Sequence, residues 1–147
     1  MRLSLSLSIP LLLALGACAN PPMTTPQEDL AAKQSQAPAY GKGALYVYRQ
    51  GLMAFALPVD VSIVGGAQAQ LNRNNYMRIE GPPGPIEVTC NMGSNRQSQQ
   101  VEIGAGQVRF VEVTANAGLM GPTCSLSEVA PGRGEEAVRG SRRVAAM

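Results

Sequence analysis

The stretch VDVSIVGGAQAQL, residues 59–71, decides the fold class of this chain. In its first half, valine and isoleucine alternate with polar residues, which is the two-residue period of a strand with one buried face. Gly65-Gly66 can adopt the positive φ angles of a tight hairpin turn, and the alternation resumes after it. The stretch therefore predicts two antiparallel strands joined by a short turn.

Short segments of the same kind, separated by Gly, Pro and Asn, continue on both sides of this hairpin. The runs between them are too short for the crossover helices of a parallel sheet. We therefore predict an all-β fold, an antiparallel, immunoglobulin-like β-sandwich of seven to eight short strands over residues 43–130. The predicted strands are 44–49, 59–63, 67–71, 76–80, 86–90, 99–103, 108–114 and 123–129.

Two of these segments depart from simple alternation. Residues 44–49 are apolar on both faces, which predicts a central or doubly covered strand. In residues 108–114 the alternation slips between Phe110 and Val111, which requires either a bulge or cover on both faces. Gly104-Ala105-Gly106 is predicted to join this segment to the strand before it as another hairpin.

The N-terminus has the layout of a cleavable export signal. A positive charge precedes an apolar run from Leu3 to Leu15, which is too short to span a bilayer because spanning takes about 20 residues. The end of the run, Leu15-Gly16-Ala17-Cys18, resembles the lipobox of bacterial lipoproteins. The resemblance implies removal of residues 1–17, acylation of Cys18 and, because Ala19 follows, residence in the outer membrane facing the periplasm. An ordinary signal peptide with a chance cysteine at the cut is the alternative.

Composition restricts the function classes. The 147 residues include 12 Lys+Arg, 10 Asp+Glu and no His, so without Arg2 of the signal the net charge is 11 − 10 = +1. Such a charge creates no strong field for nucleic acid. Without His, the chain cannot build a Ser-His-Asp or Cys-His triad or a His-ligated zinc site. We therefore predict no enzymatic activity, no cofactor, no metal site and no nucleic-acid partner.

Two segments flank the predicted sandwich. Residues 18–42 are rich in Pro, Thr, Ser and Gln, which is typical of a flexible tether, although a short helical turn over 28–34 is possible. A partner-binding role is the alternative for this segment. Residues 131–147 form the predicted C-terminal tail, with a short helix over 134–143.

Two cysteines remain beyond Cys18. Cys90 and Cys124 each fall on the predicted inward face of a strand, and export would place them where disulfides persist. We therefore predict a disulfide between them. A redox pair or a metal site is the alternative, which the absence of CxxC spacing disfavours.

Apolar side chains in two predicted connections are candidate partner-binding residues. They are Leu52, Met53, Phe55, Leu119 and Met120. They could dock a protein or a lipid surface. The alternative is that both loops fold back and cap the open end of the sandwich.

A small basic cluster near the C-terminus consists of Arg139, Arg142 and Arg143. These side chains could contact anionic lipid head groups or cell-wall carboxylates and phosphates. A solvated tail without a partner is the alternative for this cluster.

Several segments of the predicted domain carry a family resemblance. They are GALYVYR at 43–49, VDVSI at 59–63, the strand that contains Tyr76, PGPIEV at 83–88 and GAGQVRFV at 104–111. The chain resembles an uncharacterised family of small bacterial lipoproteins, whose domain of unknown function is similar to PEGA-type and carboxypeptidase-regulatory-type β-sandwiches. The resemblance covers residues 43–129 and implies a β-sandwich there. It also implies a lipid anchor for the chain, and it provides no catalytic residues.

Three function classes follow from these patterns. The leading hypothesis is a non-enzymatic, lipid-anchored envelope module that binds or scaffolds another envelope component. The second is a periplasmic inhibitor of a cell-wall hydrolase such as lysozyme, with residues 91–96 as a protruding inhibitory loop. The third is an enzyme, which would need a deep pocket that gathers Tyr76, Arg78 or a pair of glutamates.

Overall fold

The computed structural model describes residues 20–34, 36–52, 54 and 56–147. The predicted signal sequence and Cys18 lie outside these ranges, as do Met53 and Phe55. The helices are α1 (Pro26–Gln34) and α2 (Pro131–Arg139). The strands are β1 (Gly43–Arg49), β2 (Val59–Ile63), β3 (Gln68–Leu71), β4 (Asn75–Gly81), β5 (Gly84–Met92), β6 (Asn95–Ile103), β7 (Val108–Gly118), β8 (Gly121–Val129) and β9 (Arg142–Arg143).

The strands form two stacked sheets, so the predicted all-β sandwich is confirmed. One sheet has the order β8-β7-β1-β4-β9 and the other the order β3-β2-β5-β6. The hairpin at Gly65-Gly66 is also confirmed, because Val59 pairs with Leu71 across β2 and β3. The five-stranded sheet is not purely antiparallel, since β1 pairs with β7, and β4 with β9, in parallel.

The hairpin predicted at Gly104-Ala105-Gly106 is wrong. Strand β6 ends at Ile103 in the four-stranded sheet, and β7 starts at Val108 in the other sheet. The turn therefore crosses between the layers. A glycine turn reverses the chain in either case, and the burial of both strands' apolar faces decides which sheet each one joins.

Strand β1 is central in the five-stranded sheet, and both of its faces are covered. Leu45 and Val47 face the core between the sheets, whereas Tyr46 and Tyr48 face a second apolar cluster under the helices. Strand β7 follows the same rule, because Phe110 packs in the second cluster and Val111 in the inter-sheet core. Its pairing with β1 is continuous, so double cover rather than a bulge explains the slip in alternation.

Helix α2 packs closely on the outer face of the five-stranded sheet. A Cβ at Gly134 would collide with the Phe110 ring, so this position needs glycine for the close approach. The predicted C-terminal helix is confirmed, but it spans Pro131–Arg139 instead of 134–143, and residues 142–143 form β9. The residues after α2 are also part of the fold, because β9 extends the sheet and Val144 is buried in the inter-sheet core.

The segment before the sandwich is not a free tether over its described residues. Pro26–Gln34 form a helix, and Met23 makes a β-bridge with Val144. The helix starts with a capping box, in which the N–H of Thr25 donates to Glu28 Oε2 at 2.9 Å and the N–H of Glu28 donates to Thr25 Oγ1 at 3.3 Å. The predicted tether is therefore wrong for residues 20–34, which pack against the sandwich.

The connections collect at two ends of the sandwich. Residues 50–52, 54, 56–58, 72–74, 93–94, 119–120 and 140–141 lie at one end, where β1 finishes and β4 begins. Residues 64–67, 82–83, 104–107 and 130 lie at the opposite end. Among the described residues, neither helix has the length and apolar character needed to cross a bilayer.

Candidate functional site

A layer of aromatic side chains on the outer face of the five-stranded sheet receives helix α1. The ring of Tyr46 stacks between those of Tyr76 and Phe110, with centroids 5.9 Å and 5.1 Å away. The Tyr46 hydroxyl donates to the Ala32 carbonyl of α1 at 2.9 Å, and it accepts from Arg78 Nε at 2.8 Å. This network fixes the middle of α1 on the sheet.

Asp29 fixes the start of the same helix. Its Oδ1 accepts hydrogen bonds from the Tyr76 hydroxyl at 2.8 Å and from the N–H of Arg143 at 3.0 Å. Its Oδ2 accepts from Lys33 Nζ at 2.9 Å, one helical turn along α1. One carboxylate therefore joins α1, β4 and β9, three elements that are far apart in the sequence.

The pKa values at this contact follow from its geometry. Burial alone would raise the pKa of Asp29, but the hydrogen bonds from Lys33, Tyr76 and Arg143 outweigh it and hold the pKa below its ordinary value. Burial raises the pKa of the Tyr76 hydroxyl, and its bond to Asp29 raises that pKa further. Asp29 is thus a charged acceptor, and Tyr76 a neutral donor, at neutral pH.

We predict that Asp29→Ala releases α1 from the sheet. The change removes an ionised acceptor of three hydrogen bonds and should cost about 2 kcal/mol of docking free energy. Amide hydrogen exchange in residues 26–34 is expected to rise, while exchange in β1 and β5 stays as in the wild type. Gln27→Ala, at an exposed position of the same helix, is the control.

The same contact predicts a pH dependence. Because the folded pKa of Asp29 is depressed, its stabilisation is present above the unfolded pKa of about 4 and is lost as the pH falls through the folded value. Exchange in α1 of the wild type should therefore rise below about pH 4. Unchanged exchange in α1 between pH 6 and pH 3 would contradict this assignment.

The two cysteines meet as predicted. Cys90 on β5 and Cys124 on β8 form a disulfide, with their Cα atoms 6.3 Å apart. The two strands belong to different sheets, so the bond joins the layers across the core. The disulfide therefore lies in the interior of the sandwich, near the end where Leu119 and Met120 lie.

The structure describes three of the five apolar residues that were predicted to bind a partner. Leu119 and Met120 are fully exposed at the turn between β7 and β8, so they do not cap the sandwich. Leu52 is also exposed at the same end of the fold, whereas Met53 and Phe55 lie outside the described residues.

The three C-terminal arginines do not form one free cluster. Arg143 is half-buried in β9, where its N–H donates to Asp29 and its Nη2 lies 3.5 Å from the Arg78 carbonyl oxygen. Arg139 and Arg142 are exposed. The alternative of a solvated tail does not hold for the backbone of residues 142–144, which pairs with β4 and with residues 23–24.

Two further exposed arginines at the end of the sandwich that carries Arg139 and Arg142 were missed by the sequence analysis. Arg73 lies in the connection between β3 and β4, and Arg96 is the second residue of β6. Strand register places Arg73, Arg96 and Arg142 at the same end of the sandwich, and Arg139 ends α2 just before β9 at that end. We call this end, marked by Arg73, Arg96, Arg139 and Arg142, the basic end. Since these residues are scattered along the sequence, no local charge run indicates the cluster.

The residues expected of an inhibitory loop or an active site have other positions. Asn91 and Arg96 pair across the β5–β6 hairpin, so residues 91–96 form a tight hairpin with an exposed two-residue turn, Gly93-Ser94, rather than a longer loop. Tyr76 is buried under α1, and Arg78 forms an ion pair with Glu80. Over the described ranges, no three His, Cys, Asp or Glu side chains group as potential metal ligands.

Two clefts flank residues 20–24 at the edge of the fold. One of about 440 Å³ lies between residues 20–22 and the outer face of β2 and β3, where Asp60, Ser62 and Gln70 form its floor. A smaller one, of about 240 Å³, places Asn20 beside Asn72 and Arg142. The described chain therefore begins at the basic end.

No family model matches this chain. It is similar to an uncharacterized protein of Haemophilus influenzae, with 23% identity over 126 residues. The alignment covers 86% of this chain and 75% of that protein. The name of this relative carries no activity, so function has to be argued from the chain's own residues.

Proposed function

We propose that this protein is a non-enzymatic, lipid-anchored module of the bacterial cell envelope that binds or scaffolds another envelope component. Residues 1–17 would be removed on export, and Cys18 would carry the acyl chains in the outer membrane, with the sandwich facing the periplasm. The observation that carries the proposal is the sequence Leu15-Gly16-Ala17-Cys18 at the end of an apolar run, immediately before the folded body. The resemblance to small bacterial lipoproteins supports the same assignment.

The disulfide supports export. Disulfides persist in oxidising compartments such as the periplasm and are rare in the reducing cytosol. Cys90 and Cys124 are both buried, and their bond closes a loop between two sheets in a small domain. Such a crosslink suits a domain that must stay folded outside the cytosol.

The use of the polar side chains supports a non-enzymatic role. The enzyme hypothesis requires a deep pocket that gathers Tyr76, Arg78 or a pair of glutamates. Instead, Tyr76 and Arg78 contribute their hydrogen-bonding groups to the docking of α1, and Arg78 is paired with Glu80. The exposed surface with a distinct character is the basic end, where Leu119 and Met120 project.

The anchor is tested on the mature protein. We expect full-length protein made in a Gram-negative host to begin at Cys18, to carry the mass of fatty acyl chains there and to fractionate with the outer membrane. Cys18→Ser should abolish both the added mass and membrane retention. Ala19→Ser, which leaves the four-residue motif intact, is the matched control. A bare thiol at Cys18 in the wild-type protein would remove the proposed anchor.

A further inference from the structure

We propose that the basic end of the sandwich lies against the anionic surface of the membrane that holds the anchor, with the Leu119-Met120 tip in the head-group region. This inference rests on the proposed function and names the envelope component that the basic end contacts. The occupant is a lipid surface rather than a protein. Four observations carry the argument.

The first observation is the short connection between the folded body and Cys18. The N–H of Thr24 donates to the Arg143 carbonyl at 3.1 Å, and the N–H of Ala145 donates to the Pro22 carbonyl at 2.8 Å. These bonds fix the start of the described chain beside β9, and Asn20 lies next to Arg142. Two residues of extended chain reach about 7 Å, so an acyl group on Cys18 would hold this end near the bilayer.

The second observation is the charge of this end. Arg73, Arg96, Arg139 and Arg142 are exposed there, and arginine binds phosphate groups well because its planar fork can donate two parallel hydrogen bonds. Asp60, Glu28 and Glu136 also lie at this end. Asp60 is engaged by Gln70 at 2.8 Å and Glu28 by Thr25 at 2.9 Å, whereas Glu136 is exposed one turn before Arg139 on α2.

The third observation is the contrast with the opposite end. Carboxylates mark that end through Glu80, Glu87, Glu102 and Glu128. Lys42, Arg78, Arg109 and Arg133 offset this charge, and the three arginines pair with Glu80, Glu128 and Glu112. An anionic surface would therefore attract the basic end more strongly than the other, which orients the body as well as binding it.

The fourth observation is the shape of the apolar tip. Strand β7 continues from Val113, its last partner of β1, to Gly118, so the β7–β8 hairpin projects beyond the central strand. At its turn Leu119 and Met120 are 107% and 100% exposed. Apolar side chains at a projecting tip gain from entering the interface between head groups and acyl chains. Their position at the basic end combines an apolar contact with an electrostatic one.

The experiment measures which end of the acylated protein contacts lipid. We would label Met120→Cys, at the basic end, and Ala105→Cys, at the opposite end, with one fluorophore each, and reconstitute the full acylated protein into vesicles of 70% phosphatidylcholine and 30% phosphatidylglycerol. Quenching by lipids with nitroxide head groups should be at least about five-fold stronger at position 120. Equal quenching at the two positions, or stronger quenching at position 105, would overturn the proposal.

Charge variants test the electrostatic part. Arg73→Gln/Arg139→Gln/Arg142→Gln should reduce the quenching at position 120 at least about three-fold, as should vesicles of pure phosphatidylcholine or 0.5 M salt. Lys42→Gln/Arg109→Gln/Arg133→Gln, which removes the same number of charges at the opposite end, is the matched control and should leave the quenching at position 120 unchanged. Equal effects of the two variants would contradict the assignment of the basic end to the lipid surface.

Two further results separate this inference from the proposed anchor and from a protein partner. If mass measurement shows no acylation, Met120→Cys is combined with Cys18→Ser so that position 120 alone is labelled. This protein, added to the same vesicles at low salt, should still be quenched, and absence of quenching then overturns the inference. Leu119→Ser/Met120→Ser should weaken quenching of a label at position 73. Loss of an envelope-protein crosslink in this variant, with unchanged quenching, would assign the tip to a protein instead.

Discussion

Arg49→Ala is expected to lower the free energy of unfolding by about 3–5 kcal/mol. Arg49, the last residue of β1, is 1% exposed, and its guanidinium donates to backbone carbonyls. Nη1 donates to Leu57 and, at 2.9 Å, to Leu71, while Nη2 donates to Ala54 at 2.7 Å. Alanine would leave these carbonyls without their donor inside the fold.

Arg49 also holds the connection between the two sheets. Ala54 has a φ of 47°, in the left-handed region that costs a residue with a side chain roughly 1–2 kcal/mol. The bond from Arg49 to its carbonyl stabilises this conformation. Burial lowers the pKa of Arg49, yet arginine remains charged at neutral pH, so its carbonyl partners have to compensate for lost hydration.

The measurement is urea unfolding of the oxidised protein with fixed m-value analysis. Arg49→Lys keeps a charge and up to three donors but cannot reach all three carbonyls in the same fork, so we expect about half the loss seen for alanine. Arg73→Ala, at an exposed position, should change stability by less than about 0.5 kcal/mol. A loss below about 1 kcal/mol for Arg49→Ala would show that water replaces the guanidinium without cost.

The second large effect concerns the bond between the sheets. We expect Cys90→Ala/Cys124→Ala to lower the free energy of unfolding by about 4 kcal/mol on the chain-entropy model for a loop of this length. The cysteines are 34 positions apart and join β5 to β8, so the unfolded chain gains a large amount of freedom when the bond is removed. Both residues are at most 2% exposed, which adds a small packing loss.

The resistance of the Cys90–Cys124 disulfide to a thiol reductant gives a second measurement. Because both sulfurs are buried, a thiol reductant should leave the native protein oxidised and should reduce it only under conditions that populate the unfolded state. Cys18→Ser is the matched control, since it removes the third cysteine, which takes no part in this bond, and should leave the unfolding midpoint unchanged. An unchanged midpoint for the double alanine variant would contradict the expected contribution.

Periodicity predicted the strands well, because each apolar face had to be buried. The alternation in residues 59–71 determined a hairpin, and the unbroken apolar character of residues 44–49 determined a doubly covered strand. The slip between Phe110 and Val111 has the same cause, since one side chain faces the helices and the other the inter-sheet core. The sequence pattern did not reveal which elements cover the outer face of the five-stranded sheet.

The N-terminal helix shows where composition misled. The richness in Pro, Thr and Gln predicted a tether, yet Thr25-Pro26-Gln27-Glu28 is a capping box with proline at the first helical position. That local signal could have identified the helix. Its docking could not be predicted, because Asp29 bonds to Tyr76 and Arg143, which lie 47 and 114 positions away.

The basic end also combines a feature that the sequence indicated with one that only the fold produced. The sequence identified Leu119-Met120 as an apolar tip and left open whether it folds back, and the structure leaves it fully exposed. Arg73 and Arg96 were not connected with Arg139 and Arg142, because strand register rather than sequence spacing brings them to one end. The half-burial of Arg143 in β9 likewise depended on a pairing that its own neighbourhood does not encode.

The sequence by itself determined the all-β class, the disulfide, the central place of β1 and the C-terminal helix, because each depends on local periodicity, turn residues or buried thiols. The tertiary structure alone decided the parallel pairing of β1 with β7, the crossing between sheets at residues 104–107 and the docking of α1. It also decided that the four exposed arginines of the basic end lie at the same end of the sandwich. These features arise from contacts between residues far apart in the chain. Their free energy is gained only when whole elements pack, so no short stretch of sequence can specify them.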